Sequence, residues 1–170
     1  SLRAESTVGT LARYMKMEIH RAKPGDAAAL AELNDEFNRV LMPVAEIRRR
    51  LVSNHKELVL IATVAGAAAG YVCLQFSRSM CYSSDWAEIT EMYVRARFRR
   101  KGVGAALLRA VERAAARRHV DQVIVLTGGR NSPGQALYSS AKYRQTRKLV
   151  YSKALANTAS QPIAAKRGSG

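Results

Sequence analysis

Glu88-Ile89-Thr90-Glu91-Met92-Tyr93-Val94-Arg95-Ala96-Arg97-Phe98-Arg99-Arg100-Lys101-Gly102-Val103-Gly104-Ala105-Ala106-Leu107-Leu108 is the stretch that decides the fold of this chain. It reads as a strand ending at Val94, a basic loop, and an apolar helix opened by two glycines one residue apart. A helix start leaves about four backbone N–H groups unpaired and carries partial positive charge. Glycines let a diphosphate approach such groups closely. Arg99, Arg100 and Lys101 add mobile cations beside them. Gly-Lys-Ser/Thr is absent, so this is not a Walker loop, and the third glycine of the dinucleotide fingerprint is missing. The coincidence of strand, basic run and apolar helix predicts an anion cradle at Arg99–Gly104.

Outward from this segment the pattern alternates. Met17–Arg21 predicts a strand. Asp26, after Pro24-Gly25, predicts the cap of a helix over Ala27–Val40, with Ala29, Leu30, Leu33, Phe37 and Leu41 at helical spacing. A second helix is expected over Val44–Ser53. Strands at Glu57–Val64 and Ala69–Ser77 flank the hairpin signal Ala65-Gly66-Ala67-Ala68. Asp85–Val94 is a long strand, Gly104–Arg118 a helix, Gln122–Thr127 a buried strand, Pro133–Ala141 a short helix and Thr146–Leu155 a final strand. This order predicts a mixed α/β sheet with helices on both faces, formed as one domain over residues 17–155. Residues 1–16 read as a disordered extension or added sequence, and residues 156–170 as a flexible tail.

The 170 residues suit one core, and 48% hydrophobic with 24% charged residues is an ordinary globular balance. No apolar run approaches the ~18 residues needed to cross a membrane. No secretory signal is visible, which makes a cytoplasmic location the default expectation. Cys73 and Cys81 lack companions at metal spacing, so neither zinc nor any other metal is expected, and both read as small core-filling residues. His20, His55 and His119 are scattered, with no Ser–His–Asp order. The formal charge of +15 predicts attraction to polyanions, among them phosphorylated cofactors.

Two motifs make the chain resemble the GNAT superfamily of N-acetyltransferases. Arg99-Arg100-Lys101-Gly102-Val103-Gly104 is similar to its Arg/Gln-x-x-Gly-x-Gly/Ala motif. Asn131-Ser132-Pro133-Gly134-Gln135-Ala136-Leu137-Tyr138 is similar to its Asn-x-x-Ala-x-x-Leu-Tyr, with Gly134 where alanine is common. The Gly-Phe that usually follows stands here as Lys142-Tyr143. The resemblance implies a mixed, mostly antiparallel sheet flanked by helices on both faces. It implies acetyl-CoA as cosubstrate, with Met92, Tyr93 and Val94 pairing the pantetheine arm through their backbone. Arg99, Arg100, Lys101, Gly102, Val103 and Gly104 would hold the diphosphate. Asn131 would bind the pantetheine side, Tyr138 would face the sulfur, and the Val94 N–H would serve the oxyanion. The acceptor walls would come from Asn38–Glu46 and the loop before the last strand. Dimers are common among such proteins, which leaves a homodimer open.

Acetyl transfer to an amine requires loss of the ammonium proton, a donor for the oxyanion and an acid for the departing thiolate. Tyr138, a phenol with a pKa near 10, fits the acid. Glu88 and Glu91 are the candidate bases, Glu88 acting through water and Glu91 as second base or ammonium anchor. Ideal alternation puts them on opposite faces, with Trp86 and Met92 beside Glu88, where they would desolvate it. Direct transfer in a ternary complex needs no covalent intermediate. A basic anion-binding module without activity is the first competing reading. Absence of nucleic-acid motifs and only 6% aromatics speak against a nucleic-acid partner. A catalytically silent acetyl-CoA binder is the second. The acceptor's class stays open between aminoglycosides, polyamines, amino acids and protein amines.

Overall fold

The structure is a computed structural model that describes residues 16–81 and 83–154. The proposed extension up to residue 15 and the tail from residue 155 lie outside the described residues. The chain divides into two compact units, the first ending at Leu126 and the second beginning at Thr127.

The first unit holds a five-stranded sheet in sequence order: β1 Met17–Arg21, β2 Glu57–Val64, β3 Ala67–Ser77, β4 Asp85–Val94 and β5 Val120–Val125. The first three pairings are antiparallel and β4–β5 is parallel. A parallel neighbour needs a crossover, and α3, Val103–Ala116, provides it. The β2–β3 hairpin turns through Ala65 and Gly66 alone, with φ 51° and 79°, two residues earlier than the four-residue signal suggests. Two left-handed residues match the twist of the flanking strands, as in a type I′ turn.

Helices α1, Ala27–Asn38, and α2, Val44–Ser53, cover one face of the sheet. Leu30 and Leu33 of α1 are buried there with Ile61, Tyr71 and Cys73, and Ile47 and Leu51 of α2 pack against them. Helix α3 covers the other face and touches all five strands. Val103, Leu107, Leu108 and Val111 are its fully buried stripe. This is the mixed, mostly antiparallel sheet with helices on both faces that the sequence predicts.

Three local expectations change. Asp26 does not cap α1; its carboxylate accepts the Lys23 N–H at 2.8 Å and faces His20 Nε2 at 3.1 Å. A 3-10 turn over Pro24–Asp26 runs directly into α1, so the start moves upstream to Lys23. Strand β5 is half-buried because it is an edge strand, not an interior one. Thr146 to Ala154 forms no strand despite its alternation, and Leu149, Val150 and Tyr151 are exposed. Alternation marks residues fit for a sheet but supplies no partner ladder.

The second unit contains α4, Ser132–Ser140. Its end is a complete Schellman motif: the Tyr143 N–H bonds the Tyr138 carbonyl at 3.0 Å and the Lys142 N–H bonds the Ser139 carbonyl at 3.0 Å. Lys142 takes the left-handed conformation, φ 66°, where glycine is usual. The Tyr138 and Tyr143 rings lie 6.0 Å apart, which is the side-chain contact such a motif favours.

Candidate active site

Strand β4 is not regular. Cys73 of β3 opposes Glu91, but the next residue, Leu74, opposes Ile89, so Thr90 is an extra residue in β4. Opposed residues share a face of the sheet. Cys73 and Gln75 share one, so their partners Glu91 and Glu88 share it too. The bulge therefore brings both candidate bases onto the face covered by α1 and α2. Trp86 stays with Glu88, but Met92, opposite Val72, moves to the α3 face. The expected opposition of the two glutamates, and the place of Met92 beside Glu88, are corrected by this single inserted residue.

Glu88 is half-buried, and no side chain among the described residues bonds its carboxylate. Glu91 receives Asn38 Nδ2 at 3.4 Å, and Thr90 Oγ1 lies 3.4 Å from Glu57 Oε1. Glu57 and Gln75 complete the row of Glu88 on this face. Between these carboxylates stand Tyr71 and Cys73, both buried. Burial first, then Glu57 and Glu91, push the Cys73 thiol well up, so it stays protonated and is a poor nucleophile. The Tyr71 phenol is pushed up chiefly by burial as well, and its oxygen has no hydrogen-bond partner.

The edge of β4 beyond the bulge is open on the β5 side, since β5 pairs only with Asp85–Ile89. The Arg95 N–H bonds the Ala69 carbonyl at 2.9 Å. Antiparallel alternation then directs the backbone groups of Tyr93 toward β3 and those of Met92 and Val94 away from it. Met92 and the Val94 N–H thus present, among the described residues, the free edge that the resemblance implies for pantetheine, the Val94 carbonyl being taken by Arg99, while Tyr93 contributes its side chain. Its hydroxyl donates to Glu36 Oε2 at 3.2 Å and its ring stacks on Phe37. Gly70 lies opposite Val94, and a Cβ there would fall on the Tyr93 carbonyl oxygen and 3.1 Å from Val94 Cα. No side chain fits, so the strands close up and fix the Val94 peptide.

Past Val94 the chain makes a 3-10 turn over Ala96–Phe98 and enters α3 through Gly102, φ 80°. The first bond from within the helix runs from the Ala106 N–H to the Gly102 carbonyl, 3.0 Å. The N–H groups of Val103, Gly104 and Ala105 are left to point out of the helix start. Arg100, φ 60°, and Lys101 are exposed beside them. Arg99 is no mobile cation: its Nε donates to the Val94 carbonyl at 3.0 Å and its guanidinium lies 5.8 Å from the Tyr93 ring centre. It straps the cradle to the strand. Arg95 is equally committed, 14% exposed and bonded to Glu32, to Glu36 and to the Ala68 carbonyl at 2.8, 2.8 and 3.1 Å.

In the second unit Asn131 caps α4. Its Oδ1 accepts the Gly134 N–H at 3.2 Å and its Nδ2 donates to Thr127 Oγ1 at 3.0 Å. A Cβ at Gly134 would come within 2.9 Å of Asn131 Cγ, which explains glycine where alanine is common. Tyr138 is half-buried and burial raises its phenol's pKa, so it keeps its proton throughout the neutral range.

The sequence reading missed Gly70, Tyr71 and Glu57, and placed Asn38 only as part of an acceptor wall, not as a partner of Glu91. Only Gly70 had a signal, a glycine inside an apolar strand. The other contacts depend on pairings between segments distant in sequence.

A model of the acetyltransferase (GNAT) family matches residues 26–143. The chain belongs to the GNAT acetyltransferase family. That match begins in the first unit and ends in the second, taking in the cradle and Tyr138. An uncharacterized N-acetyltransferase, YhfO of Bacillus subtilis (strain 168), is 24% identical over 141 residues, 79% of this chain and 95% of that protein. Among solved structures, the aminoglycoside acetyltransferase HMB0005 from an uncultured soil metagenomic sample aligns with TM-score 0.71 at 20% identity, covering 83% of this chain and 99% of that one. The ribosomal-protein-alanine N-acetyltransferase of Brucella melitensis biovar Abortus 2308 aligns with TM-score 0.71 at 19% identity, over 82% and 99%. AAC(6')-Iy, in complex with a bisubstrate analogue of CoA, aligns with TM-score 0.71 at 18% identity, over 82% and 99%. As a GNAT protein the chain is an acetyltransferase, and the family implies acetyl-CoA as its acetyl source. Among the described residues no His/Cys/Asp/Glu group could hold a metal ion, and no helix is long and apolar enough to cross a membrane.

Proposed function

We propose that this GNAT protein transfers the acetyl group of acetyl-CoA directly to a primary amine carrying positive charge. The observation that supports this most is the Thr90 bulge, which sets Glu88 and Glu91 side by side on the α1 face next to Glu57. The chain as a whole is strongly basic, so a local group of three carboxylates is what a cationic acceptor requires. The aminoglycoside acetyltransferases among the structural neighbours take polycationic amines, and that class heads the acceptors to test.

The residues divide the work as follows. The helix start at Val103–Ala105, with Arg100 and Lys101, holds the diphosphate. The free edge at Met92 and Val94 holds the pantetheine arm, and the Val94 N–H donates to the oxyanion. Glu91 anchors the ammonium. Glu88 accepts its proton through water, the free amine forms its C–N bond to the acetyl carbon as the C–S bond breaks, and the excess proton on the new amide nitrogen passes to the phenolate that Tyr138 becomes on protonating the sulfur. Tyr138 gives its proton to the departing sulfur, and Asn131 positions the helix that carries it.

The test is thiol release from acetyl-CoA with and without amines of each class: aminoglycosides, polyamines, amino acids and peptide N-termini. The proposal expects release above the hydrolytic background with a polycationic amine. Release no faster with any amine than without would overturn it.

A further inference from the structure

Helix α3 buries Leu107, Leu108, Ala110, Val111, Ala114 and Ala115, which turns Arg109 and Arg113 to its outer face, followed by Arg117 at the helix end. All three are exposed, and none has a hydrogen bond, ion pair or ring contact among the described residues. Their i, i+4, i+8 spacing makes a row of charges that rises about 6 Å per step and winds about 40° around the helix at each. The macrodipole favours cations near a helix C-terminus, which accounts for Arg113 and Arg117 but not for Arg109 in mid-helix. Some arginines elsewhere in the unit are paired, Arg95 with Glu32 and Glu36, Arg49 and Arg50 with Glu46, Arg78 with Asp85; others, Arg21, Arg39 and Arg48 among them, are exposed without a partner among the described residues, but they do not line up along one helix face. The carboxylates of α1, α2 and the β4 face lie on the other side of the sheet. On α3 itself Glu112 flanks the row without an ion pair among the described residues, so three arginines stand against one carboxylate and the face stays net positive on the side away from the acceptor face.

We infer that the outer face of α3 is a docking surface for the phosphate backbone of a single-stranded nucleic acid, tracked by Arg109, Arg113 and Arg117. One line of charges follows one strand, whereas a duplex presents two. Small residues beside the line, such as Ala116, let a backbone lie flat. No base reading is involved, so the few aromatics that disfavour nucleic acid on sequence grounds are no obstacle. The surface is distinct from the helix start that holds the cofactor diphosphate, and the two can be occupied together.

The test is fluorescence anisotropy of labelled oligouridine titrated with the full chain across a range of salt concentrations. Two triple variants are compared, Arg109→Gln/Arg113→Gln/Arg117→Gln and, with the same loss of charge, Arg48→Gln/Arg49→Gln/Arg50→Gln on α2. The expected result is salt-sensitive binding by the native chain, weakened roughly tenfold or more in the α3 variant, with its salt slope reduced by about two, and nearly unchanged in the α2 variant. Equal losses in both variants would show that charge acts diffusely and overturn the inference. So would native-like binding by the α3 variant, absence of binding by the native chain, or displacement of the oligonucleotide by coenzyme A. Circular dichroism melting confirms that both variants are folded.

Discussion

Glu88 and Glu91 project from the same face of β4 although they are three positions apart, a step that in a regular strand puts two side chains on opposite faces. Thr90 is the cause, because it opposes no residue of its own in β3. The bulge also collects Ile89, Met92 and Val94 on the α3 face. A regular strand would have turned Glu91 toward α3 and Met92 toward the carboxylates.

Shared placement does not make the two glutamates equivalent, since Asn38 holds Glu91 while Glu88 has no partner among the described residues. Glu88→Gln is expected to cut kcat most near neutral pH and to recover partly as pH rises, when free amine forms unaided. Glu91→Gln is expected to raise KM more than it lowers kcat. Steady-state kinetics across pH checks both. Loss by the same factor at every pH in Glu88→Gln would mark a packing role.

Tyr138→Phe is expected to lower kcat by about 10²–10⁴ while leaving acetyl-CoA affinity unchanged, because the ring still packs on Tyr143. Native turnover in this variant would make the tyrosine structural. Its pKa is raised on folding. Stability should therefore hold below the unfolded value near 10 and fall as pH rises through and above it, where only the unfolded phenol ionises. Urea melts of native protein and Tyr138→Phe at alkaline pH report this difference.

Lys142 holds a left-handed conformation that costs a side chain about 1–2 kcal/mol. Lys142→Gly should relieve it and raise Tm by roughly 2–4 °C per kcal/mol recovered. A fall in Tm would mean that the lysine side chain itself stabilises the turn.

Tyr71 buries a hydroxyl without a partner, at 4% exposure. Removing an unsatisfied polar atom while keeping the ring is near neutral or stabilising, whereas removing a bonded one costs about 1 kcal/mol. Tyr71→Phe should therefore melt at or above the native temperature in thermal denaturation. A clear decrease would contradict the unbonded state.

Most of the fold was legible because its elements are locally encoded. The apolar stripe Leu107, Leu108, Val111 and Ala115 marks α3, and Gly102 marks its start. The cradle was legible for the same reason. What escaped was set by pairing between distant segments. The bulge carries no glycine or proline, and its one trace is the three-residue step from Ile89 to Met92 in an apolar pattern that otherwise steps by two. Arg99 read as a mobile cation because its partner, the Val94 carbonyl, is met only when the loop folds back on the strand end, and the commitment of Arg95 to Glu32 and Glu36 of α1 had no trace in the sequence. The alternation over Thr146–Leu155 was legible but misleading, since a ladder needs a neighbour as well as a pattern.

Acetyl transfer by this chain requires the α3 start to seat the acetyl-CoA diphosphate, and calorimetric titration of acetyl-CoA into the native chain and into Gly104→Glu measures this directly. Gly104 lies in the first turn of α3, where a carboxylate would set negative charge against the diphosphate. The native chain should bind, and ligand at about 100 times its Kd should add roughly 2.7 kcal/mol of stability. The variant should fold and show neither heat nor stabilisation. Absence of binding by the native chain, or equal binding by the variant, would contradict the account.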